Sequence, residues 1–137
     1  MLGEGLYSSK RLVYDPPMSY RSVFRPGLFA GQTIIVTGAG SGIGRCCAHE
    51  LAALGAHVVL LGRSAARLQA VEAEIRADGG AASHAACDIR DEDAVKTVVA
   101  AIVAARGVIH GLVNNAGGQF PSPLEDISAK GWQVVLA

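Results

Sequence analysis

Four short apolar runs are spaced along the chain between residues 33 and 113, and longer segments separate them. Each run is five or six residues long, and the first two are rich in β-branched residues and leucine. Such runs are typical of strands that are buried on both faces of a parallel sheet. The predicted strands cover 33–37, 57–61, 82–87 and 108–113.

The intervening segments have the length and apolar spacing of helices, over 43–54, 64–77 and 91–105. Ser64 and Asp91 stand where helix caps are expected, and glycines follow the ends of the helices. The predicted order is β-α-β-α-β-α-β. This order indicates an α/β fold in which a parallel sheet is covered by helices on both faces, with the first and fourth strands paired.

A glycine-rich turn, Thr-Gly-Ala-Gly-Ser-Gly-Ile-Gly, joins the first strand to the first helix. The chain must turn sharply at Gly38, leave room for a ligand near Gly42 and pack helix against strand at Gly44. The free N–H groups of the helix start, with Ser41 and Ile43 beside them, favour a phosphate there. The turn therefore predicts a dinucleotide pyrophosphate site, and the alternative is a structural turn without a ligand.

The spacing Thr-Gly-x-x-x-Gly-x-Gly departs from the commoner Gly-x-Gly-x-x-Gly and resembles the cofactor motif of the short-chain dehydrogenase/reductase superfamily. Asp88, after the third strand, and Asn-Asn-Ala-Gly at 114–117, after the fourth, match two further motifs of that family. The resemblance covers residues 31–137. It implies a Rossmann-type, doubly wound sheet that stops after its fourth strand.

The resemblance also implies roles for these residues toward a nicotinamide dinucleotide. Asp88 would hold the adenine amino group, and Ile89 would lie beside the ring. The stretch of Asn114, Asn115, Ala116 and Gly117 would steady the central sheet and line the ribose and nicotinamide side.

The end of the second strand indicates which dinucleotide is used. An NAD site needs a carboxylate at this point, but Gly62 stands there and Arg63 and Ser64 follow. A guanidinium can pair with the 2′-phosphate of NADP(H), and a carboxylate would repel it. NADP(H) is the predicted cofactor. The alternative is a solvated Arg63 and a relaxed cofactor choice.

The loop after the fourth strand, with Gln119 and Phe120, and the phrase Lys-Gly-Trp at 130–132 resemble the peroxisomal trans-2-enoyl-CoA reductase group. The lead-in at 24–29 resembles that group as well. The resemblance implies hydride transfer from NADPH to an enoyl-CoA or a similar activated alkene, with Gln119 and Phe120 at the mouth of an acyl pocket. An alcohol or 3-oxoacyl dehydrogenase of the same superfamily is the alternative.

The family's catalytic residues are a Tyr, a Lys one turn later and a Ser, and no Tyr-x-x-x-Lys occurs in this sequence. We expect these residues to lie after Ala137, so that no catalytic residue falls within the chain. The 137-residue chain is therefore predicted to be catalytically silent, because its general acid is missing. A non-catalytic NADP-binding module is the hypothesis from another class.

Residues 1–30 contain several prolines and the tyrosines, and no period is sustained. We predict an extended N-terminal arm over 1–30 and a partial NADP-binding domain over 31–137. Met18 is a plausible start, and the hypothesis is that residues 1–17 are an upstream extension without a structural role; Met1 is the alternative start.

Charge and composition add exclusions. Twelve basic and twelve acidic residues balance, which gives no electrostatic reason for a nucleic acid or an anionic membrane as partner. No apolar run approaches the roughly 20 residues of a membrane span, and no secretory signal opens the chain. The expectation is a reduced, cytoplasmic protein with a small-molecule substrate, such as an acyl-CoA, and a homo-oligomeric full-length form.

The histidines and the charged residues of the second helix are expected to be structural. The four histidines have no metal-ligand spacing, so each is expected at a helix surface or strand end, and no metal site is predicted. Glu72, Glu74 and Arg76 are expected on the polar face of the second helix.

Overall fold

The computed structural model describes residues 22–118 and 122–131. Within these ranges, four strands alternate with three helices in the predicted order. The strands are β1 (Thr33–Thr37), β2 (His57–Gly62), β3 (Ala81–Ala86) and β4 (Gly111–Val113). The helices are α1 (Gly42–Ala53), α2 (Ala65–Ala77) and α3 (Glu92–Arg106), and Leu124–Asp126 forms a 3₁₀ turn.

The strands form one parallel sheet in the order β3-β2-β1-β4. Val36 of β1 stands opposite Leu60 on one side and Val113 on the other, so β1 is central and pairs with β4 as predicted. The chain runs outward from β1 to β3 and then crosses back to β4. The strand order therefore reverses between β1 and β4, which is where ligands bind in open α/β sheets.

The two faces of the sheet carry separate apolar clusters. On one face, α1 and α2 pack through Ala48, Leu68 and Ile75 against alternate residues of the sheet. On the other face, Ile102 of α3 packs against Ile35 and neighbouring side chains of β2. Strand residues alternate between the clusters because successive side chains point to opposite faces. This arrangement confirms the predicted Rossmann-type α/β fold.

The start of β4 differs from the prediction, because the strand begins at Gly111 and not at residue 108. The N–H of His110 donates to the carbonyl oxygen of Thr33 at 2.8 Å. The N–H of Thr33, however, donates to Nδ1 of the His110 ring at 3.0 Å. An imidazole thus occupies the position of a backbone acceptor, and the regular ladder begins only after it.

Two polar side chains are more buried than predicted. Glu72 and His49 are each only 9% exposed, so the expectation that they lie on helix surfaces is wrong. The carboxylate of Glu72 pairs with Arg76 at 2.5 Å and hydrogen-bonds His84 of β3. Nε2 of His49 lies 3.1 Å from a carboxylate oxygen of Glu74. These partners satisfy the polar groups that the packing of α2 on β3 and α1 removes from water.

Residues 22–30 are the described part of the predicted arm, and they contain turns but no helix or strand. Phe29 packs against the apolar cluster under α1 and α2, and its N–H donates to the carbonyl oxygen of Leu54 at 3.0 Å. Residues 1–21 lie outside the described ranges, so the arm and the division at residue 30 stay predictions.

Candidate functional site

A cleft of about 690 Å³ opens at the carboxyl ends of the strands, beside the point where the strand order reverses. Its size falls within the range of about 300–1,000 Å³ that is usual for small-molecule sites. Predicted site residues that line the cleft are Gly38, Ser41, Gly62, Arg63, Ser64, Asp88, Ile89, Ala116 and Gly117. Asn115, which belongs to the predicted 114–117 stretch, also lines the cleft, and the wall further contains residues outside the predicted site, namely Gly40, Arg67, Leu68, Cys87, Arg90 and Gly118.

The remaining predicted residues, Gly42, Ile43, Gly44 and Asn114, are not part of the cleft wall. Gly44 is buried in the packing of α1: a Cβ there would lie 2.4 Å from Nδ2 of Asn115 and 2.5 Å from the carbonyl oxygen of Gly38. Gly42 has a φ of +54° with no atom within 4 Å of an added Cβ, and Ile43 is 76% exposed. Glycine at 44 thus brings α1 close to the sheet, while the turn at 42 faces open space.

The first two helices begin at the cleft without side-chain caps. Ser41 and Ser64 are the N-cap residues of α1 and α2, and neither side chain accepts a hydrogen bond from its helix. In α3, by contrast, the carboxylate of Asp91 accepts from the N–H of Ala94 at 3.0 Å. The first N–H groups of a helix have no intrahelical acceptor. The N-terminal amides of α1 and α2 therefore lack such a cap, so both helix starts suit anions.

Two arginines approach the cleft from the start of α2. Arg63 follows the tip of β2, and Arg67 lies one turn further along; both are exposed. In the part of the chain that the structure describes, neither has a carboxylate within 4.0 Å. A Cβ at Gly40 would lie 3.1 Å from Cβ of Arg67, so the glycine turn and α2 are in close contact. Positive charge is thus concentrated between the turn and the tip of β2.

Asp88 follows β3 and is held by Arg90. Nε of Arg90 donates to Oδ1 at 2.9 Å, Nη2 donates to Oδ2 at 2.5 Å, and the backbone N–H of Arg90 donates to Oδ1 at 3.1 Å. The side-chain hydrogen bonds from Arg90, then its backbone hydrogen bond, hold the pKa of Asp88 well below its usual range. Asp88 is therefore a carboxylate, and so an acceptor, at the wall of the cleft.

Thr37 and Asn115 tie the glycine turn to the segment after β4. The Thr37 hydroxyl accepts the N–H of Asn115 at 3.0 Å and that of Ala116 at 2.9 Å, and it lies 3.2 Å from the carbonyl oxygen of Val113, to which it donates. Nδ2 of Asn115 donates to the carbonyl oxygen of Thr37 at 2.9 Å. Both residues belong to the motifs singled out in the sequence, but their hydrogen bonding to each other could not be seen there.

Cys87 lies between β3 and Asp88, and its side chain is 5% exposed. Burial, and then the negative charges of Asp88 and Asp91, raise the pKa of its thiol. Its N–H donates to the carbonyl oxygen of Gly62 at 2.8 Å, which extends the pairing of β2 and β3 to the edge of the cleft.

Several expectations concern residues that the structure does not describe. Gln119, Phe120 and Trp132 lie outside the described ranges.

Among residues 22–118 and 122–131, no cluster of three or more His, Cys, Asp or Glu side chains could hold a metal ion. No helix in these ranges is long and apolar enough to span a bilayer. After the 3₁₀ turn, residues 129–131 are helical, and the N–H of Gly131 donates to Oγ of Ser128 at 3.1 Å.

Comparison with known proteins places this geometry in a family. Residues 32–137 match the model of the short chain dehydrogenase family. The gluconate 5-dehydrogenase of Gluconobacter oxydans is 45% identical over 114 residues, which are 82% of this chain and 44% of that protein. A probable 2,4-dienoyl-CoA reductase of Bacillus subtilis is 33% identical over 105 residues, or 77% of this chain and 41% of that protein.

Solved structures agree with this assignment. A citronellol catabolism dehydrogenase of Pseudomonas aeruginosa is 68% identical, with a TM-score of 0.81 over 85% of this chain and 48% of that one. A metagenomic short-chain oxidoreductase in complex with NADP is 43% identical, with a TM-score of 0.74 over 79% of this chain and 49% of that one. The chain spans less than half the length of these relatives. It belongs to the short chain dehydrogenase family, whose members are oxidoreductases that bind a nicotinamide cofactor.

Proposed function

We propose that this chain binds NADP(H) and forms the cofactor-binding part of an NADP-dependent oxidoreductase. The observation that carries the proposal is the tip of β2. Arg63 and Ser64 line the cleft there at the uncapped start of α2, and Gly62 stands where an NAD site needs a carboxylate. A guanidinium, a hydroxyl and free helix amides together suit a phosphate monoester.

The other parts of the proposed site follow the cleft. Ser41 and the amides of the turn over Gly38–Gly44 would hold the pyrophosphate, with Gly42 and Ile43 at its open side. Asp88 would accept the adenine amino group, with Ile89 beside the ring. The segment Asn114–Gly117 would face the ribose and nicotinamide, through Ala116 and Gly117. When bound, the nicotinamide ring gives or takes a hydride.

For the substrate of the whole protein we propose an enoyl-CoA or a related acyl or carbonyl compound. The support is the loop that resembles enoyl-CoA reductases and the dienoyl-CoA reductase among the relatives. The dehydrogenase of citronellol catabolism, at 68% identity, adds a branched terpenoid skeleton as a candidate. The second candidate is an alcohol or 3-oxoacyl dehydrogenase. The gluconate 5-dehydrogenase among the relatives favours it, because gluconate carries hydroxyl groups that a dehydrogenase can oxidise.

We also propose that the 137-residue chain by itself transfers no hydride, because it contains no Tyr-x-x-x-Lys to protonate a substrate. A binding module without catalysis is the alternative function of another class. The coding sequence downstream of Ala137 separates the two. An open frame that encodes Ser and Tyr-x-x-x-Lys supports the enzyme, and a stop codon supports the module.

The cofactor assignment is tested by titrating the chain with NADPH and NADH and following nicotinamide fluorescence. We expect NADPH to bind more tightly, and Arg63→Ala to weaken NADPH at least about tenfold while NADH changes little. Lys96→Gln is the control, because Lys96 pairs with Glu92 on the surface of α3, away from the cleft. An NADPH-to-NADH ratio that Arg63→Ala leaves unchanged would reject the assignment.

A further inference from the structure

Asp88 and Arg90 form an ion pair at the wall of the cleft, which both residues line. Arg90 donates three hydrogen bonds to the carboxylate of Asp88. Two come from the side chain, through Nε and Nη2, and one comes from the backbone N–H. Two parallel guanidinium bonds fix the plane of a carboxylate as well as its position. Asp88 is therefore presented to the cleft in one orientation.

The backbone around the pair is held on both sides. The N–H of Cys87 donates to the carbonyl oxygen of Gly62 at 2.8 Å, and the N–H of Asp91 donates to the carbonyl oxygen of Asp88 at 3.0 Å. Asp91 then caps α3 with its own carboxylate. The segment thus cannot easily turn Asp88 away from the cleft, and Arg90 decides how its carboxylate faces.

A carboxylate held in this way distinguishes two kinds of purine. An ionised carboxylate has acceptor sites only, so it can take a hydrogen bond from the exocyclic amino group of a 6-aminopurine. A 6-oxopurine presents a carbonyl oxygen at the same position, which a carboxylate repels. Because Asp88 engages Nε–H and one N–H of Nη2, the edge of the Arg90 guanidinium that faces the carboxylate is not available to that carbonyl.

We propose that Arg90 is a positioning residue that sets the base selectivity of the cleft: by clamping Asp88, it makes the site prefer a 6-aminopurine dinucleotide over its 6-oxopurine counterpart. The proposal rests on the proposed function, because it places the adenine end of the dinucleotide beside Asp88. It adds a residue and a selectivity to that function. The low pKa of Asp88 agrees with this proposal, because a protonated carboxyl group could donate a hydrogen bond to the carbonyl of a 6-oxopurine and so weaken the preference for a 6-aminopurine.

The experiment measures binding of NADP⁺ and of nicotinamide hypoxanthine dinucleotide phosphate to the chain by calorimetry. The two probes differ at the Watson–Crick edge of the purine: C6 carries an amino group in one and a carbonyl oxygen in the other, and N1 carries a hydrogen only in the 6-oxopurine. We expect the unaltered chain to prefer NADP⁺ by roughly tenfold or more, because the mismatched partner leaves a polar group unpaired. Arg90→Gln should reduce that preference several-fold, and Lys96→Gln, which breaks a pair outside the cleft, should leave it unchanged.

Two further variants make the outcome decisive. Asp88→Asn replaces the acceptor by an amide that can also donate, so the preference should vanish or reverse. Arg90→Lys keeps the positive charge but cannot make the bidentate contact, so its preference for NADP⁺ should lie between those of the unaltered chain and Arg90→Gln. This variant also tests the proposal if Arg90→Gln fails to fold.

Equal weakening of both probes by the Arg90 variants, or an unchanged ratio, overturns the role of Arg90. Failure of the unaltered chain to bind either probe overturns the proposed function instead. The two failures are therefore distinguishable in one set of titrations.

Discussion

Thr37 and Asn115 exchange hydrogen bonds across a sequence separation of 78 residues: the hydroxyl of Thr37 accepts the N–H of Asn115 at 3.0 Å, and Nδ2 of Asn115 donates to the carbonyl oxygen of Thr37 at 2.9 Å. The pair joins the end of β1 to the segment after β4, on the two sides of the point where the strand order reverses. Because the floor of the cleft lies at this junction, its shape depends on the pair.

Replacing Thr37 by Val should destabilise the chain by about 2 kcal/mol. The change keeps the side-chain shape but leaves the N–H of Ala116 without its acceptor, and the N–H of Asn115 keeps only the carbonyl oxygen of Val113, at 3.1 Å. Thr37→Ser keeps the hydroxyl and is the matched control; its free energy of unfolding should fall much less. Urea unfolding of both variants measures the difference, and equal stability of the two would contradict the role assigned to the hydroxyl.

Gly44→Ala should destabilise the chain by about 1–3 kcal/mol or more, because a Cβ would meet Nδ2 of Asn115 at 2.4 Å and the carbonyl oxygen of Gly38 at 2.5 Å. Helix propensity alone predicts the opposite sign, a gain of about 1 kcal/mol for Ala inside α1. The midpoint of thermal or urea unfolding therefore decides between them. A more stable variant would mean that α1 can move away from the sheet without cost.

Arg67→Gln should weaken NADPH binding about three- to tenfold and leave NADH binding nearly unchanged. Arg67 lines the cleft one turn after Arg63, and it has no carboxylate within 4.0 Å in the described ranges. Its guanidinium is therefore available for the phosphate that distinguishes the two cofactors. Nicotinamide fluorescence titration gives both affinities. If both cofactors weaken alike, Arg67 supports the pyrophosphate or the fold and not the choice of cofactor.

The cysteines should differ in reactivity. Cys46 is exposed, whereas Cys87 is buried and its thiol pKa is raised by burial and by Asp88 and Asp91. A raised pKa means a smaller fraction of reactive thiolate at any pH below it, so Cys87 should react only as the pH rises well above neutral. We expect maleimide at pH 7 to label Cys46 first, as site-resolved mass spectrometry would detect. Labelling of Cys87 at the rate of Cys46 would contradict its burial.

The order of strands and helices could be predicted from the sequence because it depends on local periods. Apolar runs and helical spacing are properties of consecutive residues, and the observed elements agree with the predicted ones to within a few residues. The glycine turn was recognisable for the same reason. Its glycines lie close together in sequence, and clear strand and helix patterns, those of β1 and α1, stand before and after it.

The burial of polar side chains and the contacts in the cleft were decided by packing between residues far apart in sequence. Whether Glu72 faces water or β3 depends on where His84 falls in a neighbouring strand, and the same holds for His49 and Glu74. The clamp of Arg90 on Asp88 depends on loop geometry that no period encodes.

The sequence by itself therefore determined the α/β order, the glycine-rich turn before α1 and the lack of a carboxylate after β2, since each is set by neighbours along the chain. Only the tertiary structure decided which motif residues face the cleft, that Gly44 serves the packing of α1, and that Thr37 and Asn115 join the end of β1 to the segment after β4. The physical reason is that hydrogen bonds and steric contacts between residues far apart in sequence exist only once the strands have paired.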